Sequence, residues 1–229
     1  MDSEATITLR DQTLRLLPQK ALIWEEERAL LLADLHMGKS GHFRKYGIPV
    51  PGTVNRTNLD ILGSIVESRG PEKLIVLGDL FHSRENREWQ QFEEWRNRYA
   101  GLELYLVIGN HDILPARFYH SSRIHLFHKL RIGPFLLLHN LDSGSSDPEN
   151  DTGSQGPYLL SGHVHPAVKL RGKGRQSMKL PCFYFGRRKG ILPAFGQFTG
   201  THVIDPRPGD RVFAVAEQQL VAIDTENGG

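Results

Sequence analysis

Five short apolar runs along this chain each end in a small polar motif, and that repeated placement constrains the fold more than any other feature. The runs are residues 29–33, 73–77, 102–108, 135–138 and 158–161. The motifs that follow them are Asp34-Leu35-His36, Gly78-Asp79-Leu80-Phe81-His82, Gly109-Asn110-His111-Asp112, His139-Asn140 and Gly162-His163-Val164-His165. Runs of this length read as buried strands. Open α/β sheets build their sites just past the C-terminal ends of strands. Five motifs in that one position therefore predict a single composite site, and each motif carries hard or borderline metal ligands.

The segments between the runs complete the pattern. Leu59, Leu62, Ile65 and Val66 recur at helical spacing after Thr53, a suitable N-cap, and Gly70-Pro71 ends that helix. Trp89, Phe92, Trp95 and Tyr99 mark the buried stripe of a second helix. Residues 14–17 and 21–24 read as early strands. From 168 onward the chain reads as all-β, with strands at 168–170, 180–185, 190–193, 202–204, 211–214 and 220–223. A βαβαβ start followed by many strands predicts an α/β architecture of two packed sheets with helices outside. A length of 229 residues predicts a single domain over 1–229 with a sizeable core.

Charge is uneven although the net value is only +2. Residues 166–190 hold eight basic side chains (Lys169, Arg171, Lys173, Arg175, Lys179, Arg187, Arg188, Lys189) and no acid. Such a stretch can attract a polyanion, or be a solvated hairpin. Residues 142–157 are rich in Gly, Ser, Asp and Asn and read as a mobile loop. The apolar runs are too short to cross a bilayer. Met1-Asp2-Ser3-Glu4 lacks the start of a signal peptide. With Cys182 as the sole cysteine, a reducing cytoplasm is the expected compartment.

The chemistry follows from the residue types. Asp34 and His36 are two apart, so in an extended strand they face one side and can meet one ion; His163 and His165 repeat that spacing. Asp79 can bridge two ions, and Asn110 offers a neutral carbonyl oxygen. Other groups leave two readings open. Lys39, Arg44 and Lys45 are substrate-phosphate contacts or solvated loop charges. His82 approaches the site or caps its loop. Asp112 fixes its turn or partners a histidine. His120, His125 and His128 read as a surface strand pair. Phe183-Tyr184-Phe185 beside Arg187-Arg188-Lys189 is a single-strand stacking strip or a half-buried strand.

The set Asp-x-His, Gly-Asp, Gly-Asn-His-Asp, His, Gly-His-x-His resembles the calcineurin-like metallophosphoesterase superfamily over residues 30 to about 170. Asp34-Leu35-His36-Met37-Gly38-Lys39, Gly47-Ile48-Pro49-Val50-Pro51 and Pro193-Ala194-Phe195-Gly196-Gln197-Phe198-Thr199-Gly200 resemble one branch, the bacterial ligase-associated phosphoesterases, encoded beside a DNA ligase and a helicase in repair gene clusters. The resemblance implies a four-layer αββα sandwich of two mixed sheets flanked by helices. It implies one ion on Asp34, His36, Asp79 and His165, and a second on Asp79, Asn110, His139 and His163. Mn is the superfamily's usual metal for activity, while Fe and Zn also suit this donor set. Asp79 and His111 are then the catalytic residues, with His111 serving the leaving oxygen or the phosphate charge, and Lys39, Arg44 and His82 are candidate substrate contacts.

Two-metal sites activate water and clamp an in-line displacement at phosphorus. The implied function is a dinuclear-metal phosphodiesterase acting on DNA, a single-strand endonuclease in bacterial repair, with DNA as partner, no membrane, and a homo-oligomer as an option. The alternatives are a small-molecule phosphodiesterase or pyrophosphatase, and a non-catalytic scaffold. Protein phosphatases of the superfamily carry an Asp three residues after the bridging Asp. His82 stands there instead, which argues against a phosphoprotein substrate.

Overall fold

Strict alternation along the central strands sorts the apolar side chains into two cores. In a computed structural model, which describes residues 3–39, 54–81, 87–141, 156–171, 177–197 and 199–225, a seven-stranded sheet runs in the order β1 (Ala5–Leu9), β2 (Gln12–Leu17), β3 (Ala21–Trp24), β4 (Ala29–Leu32), β5 (Lys73–Leu77), β6 (Glu103–Val107), β7 (Ile124–Phe127). It is antiparallel from β1 to β4 and parallel from β4 to β7. Leu30, Leu32, Leu74 and Val76 face the helices, while Leu31, Ile75 and Leu77 face the second sheet. This is the period-two pattern of strands buried on both faces.

Helices α1 (Val54–Arg69), α2 (Arg87–Arg98) and α3 (Ala116–Ser121) cover the outer face of that sheet. The expected stripes are buried: Leu59, Leu62, Ile65 and Val66 from α1, and Trp89, Phe92 and Trp95 from α2. Tyr99 packs against them half-buried, and its hydroxyl donates to Glu67 at 2.6 Å. The Arg96 guanidinium is buried and donates to the carbonyls of Ser122 and Tyr99. Those two bonds tie the end of α2 to the turn before β7.

The second sheet contains β8 (Leu130–Ile132), β9 (Phe135–Leu137), β10 (Tyr158–Ser161), β11 (Pro166–Arg171), β12 (Ser177–Phe185), β13 (Lys189–Ile191), β14 (His202–Val203), β15 (Arg211–Ala216) and β16 (Gln219–Ile223). Its main path is β14-β11-β12-β13-β10-β9-β8, with β15 on β12 and β16 on β15. Both sheets are mixed and pack through one core, in which Trp24 meets Phe135 edge-on at 4.8 Å between ring centroids. The expected α/β architecture of two packed mixed sheets with helices is present. All three described helices lie on the first sheet. Among the described residues, the far face of the second sheet carries a small cluster around Val168, Cys182, Val212 and Ala214. No described helix is long and apolar enough to cross a membrane.

One reading needs correction. His120, His125 and His128 do not mark a strand pair. His120 ends α3, His125 lies on β7 at the edge of the first sheet, and His128 follows it. The next strand, β8, belongs to the other sheet. Of the two readings of residues 183–185, the strand is the one present: Phe183 and Phe185 point into the core between the sheets, and the Tyr184 hydroxyl donates to Asp210 at 2.9 Å. The C-terminal half of this strand is buried on both faces, Phe183 and Phe185 in the core between the sheets and Cys182 in the far cluster, which explains the aromatics without a ligand. Thr53, Arg44, Lys45, His82, the 47–51 segment, residues 142–155, Lys173, Arg175 and Phe198 lie outside the described residues.

Candidate metal centre

Parallel pairing brings the five motifs to one edge of the sandwich. Leu77 sits opposite Val107 in β5 and β6, and Leu160 opposite Leu137 in β10 and β9. Each pair therefore leaves its sheet at one level. The two sheets are stitched together there. Ala33 bridges to Ala194, the Phe195 and Gly196 amides donate to the carbonyls of Ala33 and Asp34, and the His163 amide donates to Asp34 Oδ2 at 2.9 Å.

Two groups of ligand-type side chains form at this edge: Asp34, His36 and His165, and Asp79, His139 and His163. Within each, the ligand atoms lie within 4.8 Å of one another. In the first, His36 Nε2 is 3.4 Å from His165 Nε2, which is 3.5 Å from Asp34 Oδ1. In the second, His163 Nδ1 is 3.1 Å from His139 Nε2, which is 3.5 Å from Asp79 Oδ1. The other oxygen of Asp79, Oδ2, is 3.9 Å from His36 Nε2. One carboxylate thus faces both groups, one oxygen to each.

The route to this geometry differs from an extended strand. Asp34, His36, Asp79, His163 and His165 all have φ between 51° and 67°. Non-glycine residues rarely sit in this left-handed region, and such strain concentrates at functional sites. Asp34 and His36 converge on one group because each turns back after its strand has ended, whereas His163 and His165 part, one to each group. Gly78 is also left-handed, with φ of +79°, and a Cβ there would clash with His139, 2.0 Å from its Nδ1.

Hydrogen bonds fix which imidazole nitrogen is available. His139 Nδ1–H donates to the Leu77 carbonyl at 3.0 Å, leaving the Nε2 lone pair aimed at Asp79. His165 Nδ1–H donates to the Gly200 carbonyl at 3.0 Å, leaving Nε2 toward Asp34. Backbone acceptors behind a histidine are the usual support of a metal ligand. Asp34 Oδ1 is fully buried and accepts no hydrogen bond among the described residues. A buried carboxylate oxygen in that state is costly unless a cation faces it. The mixed nitrogen and oxygen donors fit Mn, Fe or Zn and depart from the all-oxygen set of Ca. Burial lowers the pKa of His163, as does the nearby His139, against the pull of Asp34 and Asp79.

Around these groups, the His111 amide donates to Asp79 Oδ1 at 2.9 Å, and the exposed His111 ring stands 5.6 Å from that of His36. Asn110 is exposed in the same turn. Lys39 is half-buried; burial lowers its pKa, while Asp34 and Asp79 pull it upward. Asp112 takes the turn-fixing role. Its two oxygens accept the amides of Phe81 at 3.1 Å and Gly109 at 2.9 Å, tying the second motif to the third. Burial raises its pKa to about 6, opposed by those two bonds. Truncating Asp112 to Ala leaves both amides without their acceptor, so a loss of roughly 2–4 kcal/mol in urea melts is expected. A loss below about 0.5 kcal/mol would show the tie to be idle.

One residue of this region carries no sequence signal. Lys20, in the β2–β3 turn, donates to the Gly196 carbonyl at 3.3 Å and borders a small cavity beside His165. It lies far from every motif in sequence, and only the pairing of Ala33 with Ala194 brings its neighbours to the site.

Comparison with known proteins adds the following. The calcineurin-like phosphoesterase family matches residues 27–191. The solved structure of the Pseudomonas putida nuclease MPE is 31% identical, with a TM-score of 0.76, over 95% of this chain and all of that one. YfcE, a phosphoesterase from E. coli, is 14% identical with a TM-score of 0.46, over 86% of this chain and 98% of that one. A search of curated proteins by sequence gave no match.

Proposed function

Because the chain belongs to the calcineurin-like phosphoesterase family, a family of metal-dependent hydrolases, we propose that it is a two-metal phosphodiesterase that cuts DNA. The observation that carries this reading is Asp79, set between two His/Asp groups with one oxygen toward each. We assign Asp34, His36, Asp79 and His165 to one ion, and Asp79, Asn110, His139 and His163 to the other, with Mn as the working metal. Bound divalent ions supply Lewis acidity to the phosphoryl oxygens and activate the attacking water.

The chain's own residues do the rest. Leu77 and Gly200 carbonyls hold His139 and His165 in one tautomer. The His111 amide holds Asp79, and the exposed His111 ring, 5.6 Å from that of His36, is assigned to donate a proton to the leaving oxygen. Lys39 adds positive charge on the same side, and Arg44 and His82 are further candidates.

DNA as substrate is supported by likeness to a protein described as a nuclease, at 31% identity over nearly the full chain. A single strand is the preferred form, since a flexible backbone reaches a recessed pair of ions more easily than a duplex. The branch resemblance extends the reading to bacterial repair in the cytoplasm, alongside a ligase and a helicase. The test is incubation with Mn and single-stranded circular DNA, beside bis(p-nitrophenyl) phosphate. Nicking is expected. Turnover of the small diester with intact circles would overturn the DNA part, and turnover of neither, with Mn, Fe or Zn, would overturn the phosphodiesterase part.

A further inference from the structure

We propose that the cavity beside His165 is a subsite for a second phosphate of the substrate, flanking the one held at the metal centre, and that Lys20 supplies its cation. The cavity measures about 160 Å³ and is bordered by Lys20, His165, Pro181, Thr199 and Thr201, among others. It lies well below the ~300 Å³ at which pockets begin to hold drug-sized molecules. Room of that size suits a single phosphate group. His165 is the shared wall, since its Nε2 faces Asp34 and His36 while its ring borders the cavity. Its Nδ1–H is held by Gly200, between the two threonines. A phosphate seated there is one group removed from the metal centre.

Lys20 is built for an anion that the protein does not itself supply. Among the described residues no carboxylate lies within ion-pair distance of it, and its amine meets only the Gly196 carbonyl. Burial lowers its pKa to about 8, with no acid opposing the shift. A desolvated ammonium without a counter-ion gains strongly from a phosphate. Thr199 and Thr201 also border the cavity, and the Thr199 hydroxyl donates to the same Gly196 carbonyl at 3.1 Å.

The surface beyond the cavity continues the theme. Pro181 shares a face of the β11–β12 hairpin with Lys179, and Lys179 stands directly opposite Lys169. Both lysines are exposed. Like charges directly opposed on a sheet destabilise it, and an anion between them reverses that. The pair lies about 7 Å further along the strand, two residues on. A substrate with successive phosphates would thus meet the metal centre, Lys20 and then the lysine pair. The subsite deepens the nucleic-acid reading above and rests on it.

The test compares thymidine 3′,5′-bisphosphate with the 3′- and 5′-monophosphates. Binding to the Mn-loaded protein is measured by calorimetry, and inhibition of bis(p-nitrophenyl) phosphate hydrolysis in parallel. The bisphosphate is expected to bind at least ten-fold more tightly than either monophosphate. Lys20→Gln keeps a donor for Gly196 but loses the charge, and should cut that advantage below about three-fold. Lys20→Arg keeps both and should preserve it. No advantage in the wild-type protein, or an advantage that survives in Lys20→Gln, overturns the subsite. Nicking of circular DNA is scored separately. A bisphosphate advantage without nicking leaves the subsite standing and removes the nuclease reading, and nicking without the advantage does the reverse.

Discussion

Asp79→Asn is expected to lower kcat/KM for bis(p-nitrophenyl) phosphate by about 1,000-fold or more, the range set by losing one preorganised charge-stabilising group or worse. The substitution is nearly isosteric. The Asn oxygen can still accept the His111 amide, so the turn survives. What is lost is the charge that faces both groups, Oδ1 toward His139 and Oδ2 toward His36. Melts make the test specific. At a metal concentration about 100 times Kd, a bound ion adds about 2.7 kcal/mol of stability, and the variant should lose most of that gain. In chelator the order should change. Asp34 and Asp79 are both buried carboxylates with no cation between them, and such charges are costly. The metal-free variant should therefore melt at or above the metal-free wild type. Activity within ten-fold of wild type, or an undiminished metal-induced shift, would sink the bridging role.

The legible part of the site was its order. Each motif stands past the C-terminal end of a strand, as expected from apolar runs that stop at a Gly, an Asp or a His: β4 before Asp34, β5 before Asp79, β6 before Asn110, β9 before His139, β10 before His163. Periodicity also found α1 and α2, because each buries a single stripe. The missed elements lacked such signals. β1 escaped because its hairpin turns on Arg10-Asp11, with φ of 54° and 61°, in place of the Asn-Gly or Asp-Gly pair that marks such a turn. β7 and β8 are short edge strands with mixed polarity. The left-handed turns at five ligand positions run against residue preference and are imposed by tertiary packing. Lys20 was illegible for a different reason, since its role exists only where the β2–β3 turn meets the 194–201 segment.

Gly78→Ala is expected to remove about one of two bound ions per chain although it replaces no ligand residue. The backbone at Gly78 is left-handed, with φ of +79°, which costs an alanine about 1–2 kcal/mol. The larger effect is spatial. The new methyl group would overlap the His139 ring at its Cγ, Nδ1 and Cβ. The ring cannot retreat while Nδ1–H stays on the Leu77 carbonyl, one residue before the substituted position. It must break that bond and swing away, carrying Nε2 out of reach of Asp79 and His163. The three atoms nearest the new methyl all belong to His139, so the Asp34, His36 and His165 group should keep its ion. Displacing a catalytic group by about 1 Å costs roughly 100-fold in rate, so kcat should fall at least that far. Elemental analysis of the dialysed, Mn-loaded protein reads the stoichiometry directly. Two ions per chain with kcat unchanged would mean that His139 does not depend on the space Gly78 leaves. A loss of both ions would mean that the two groups fill and empty as one unit.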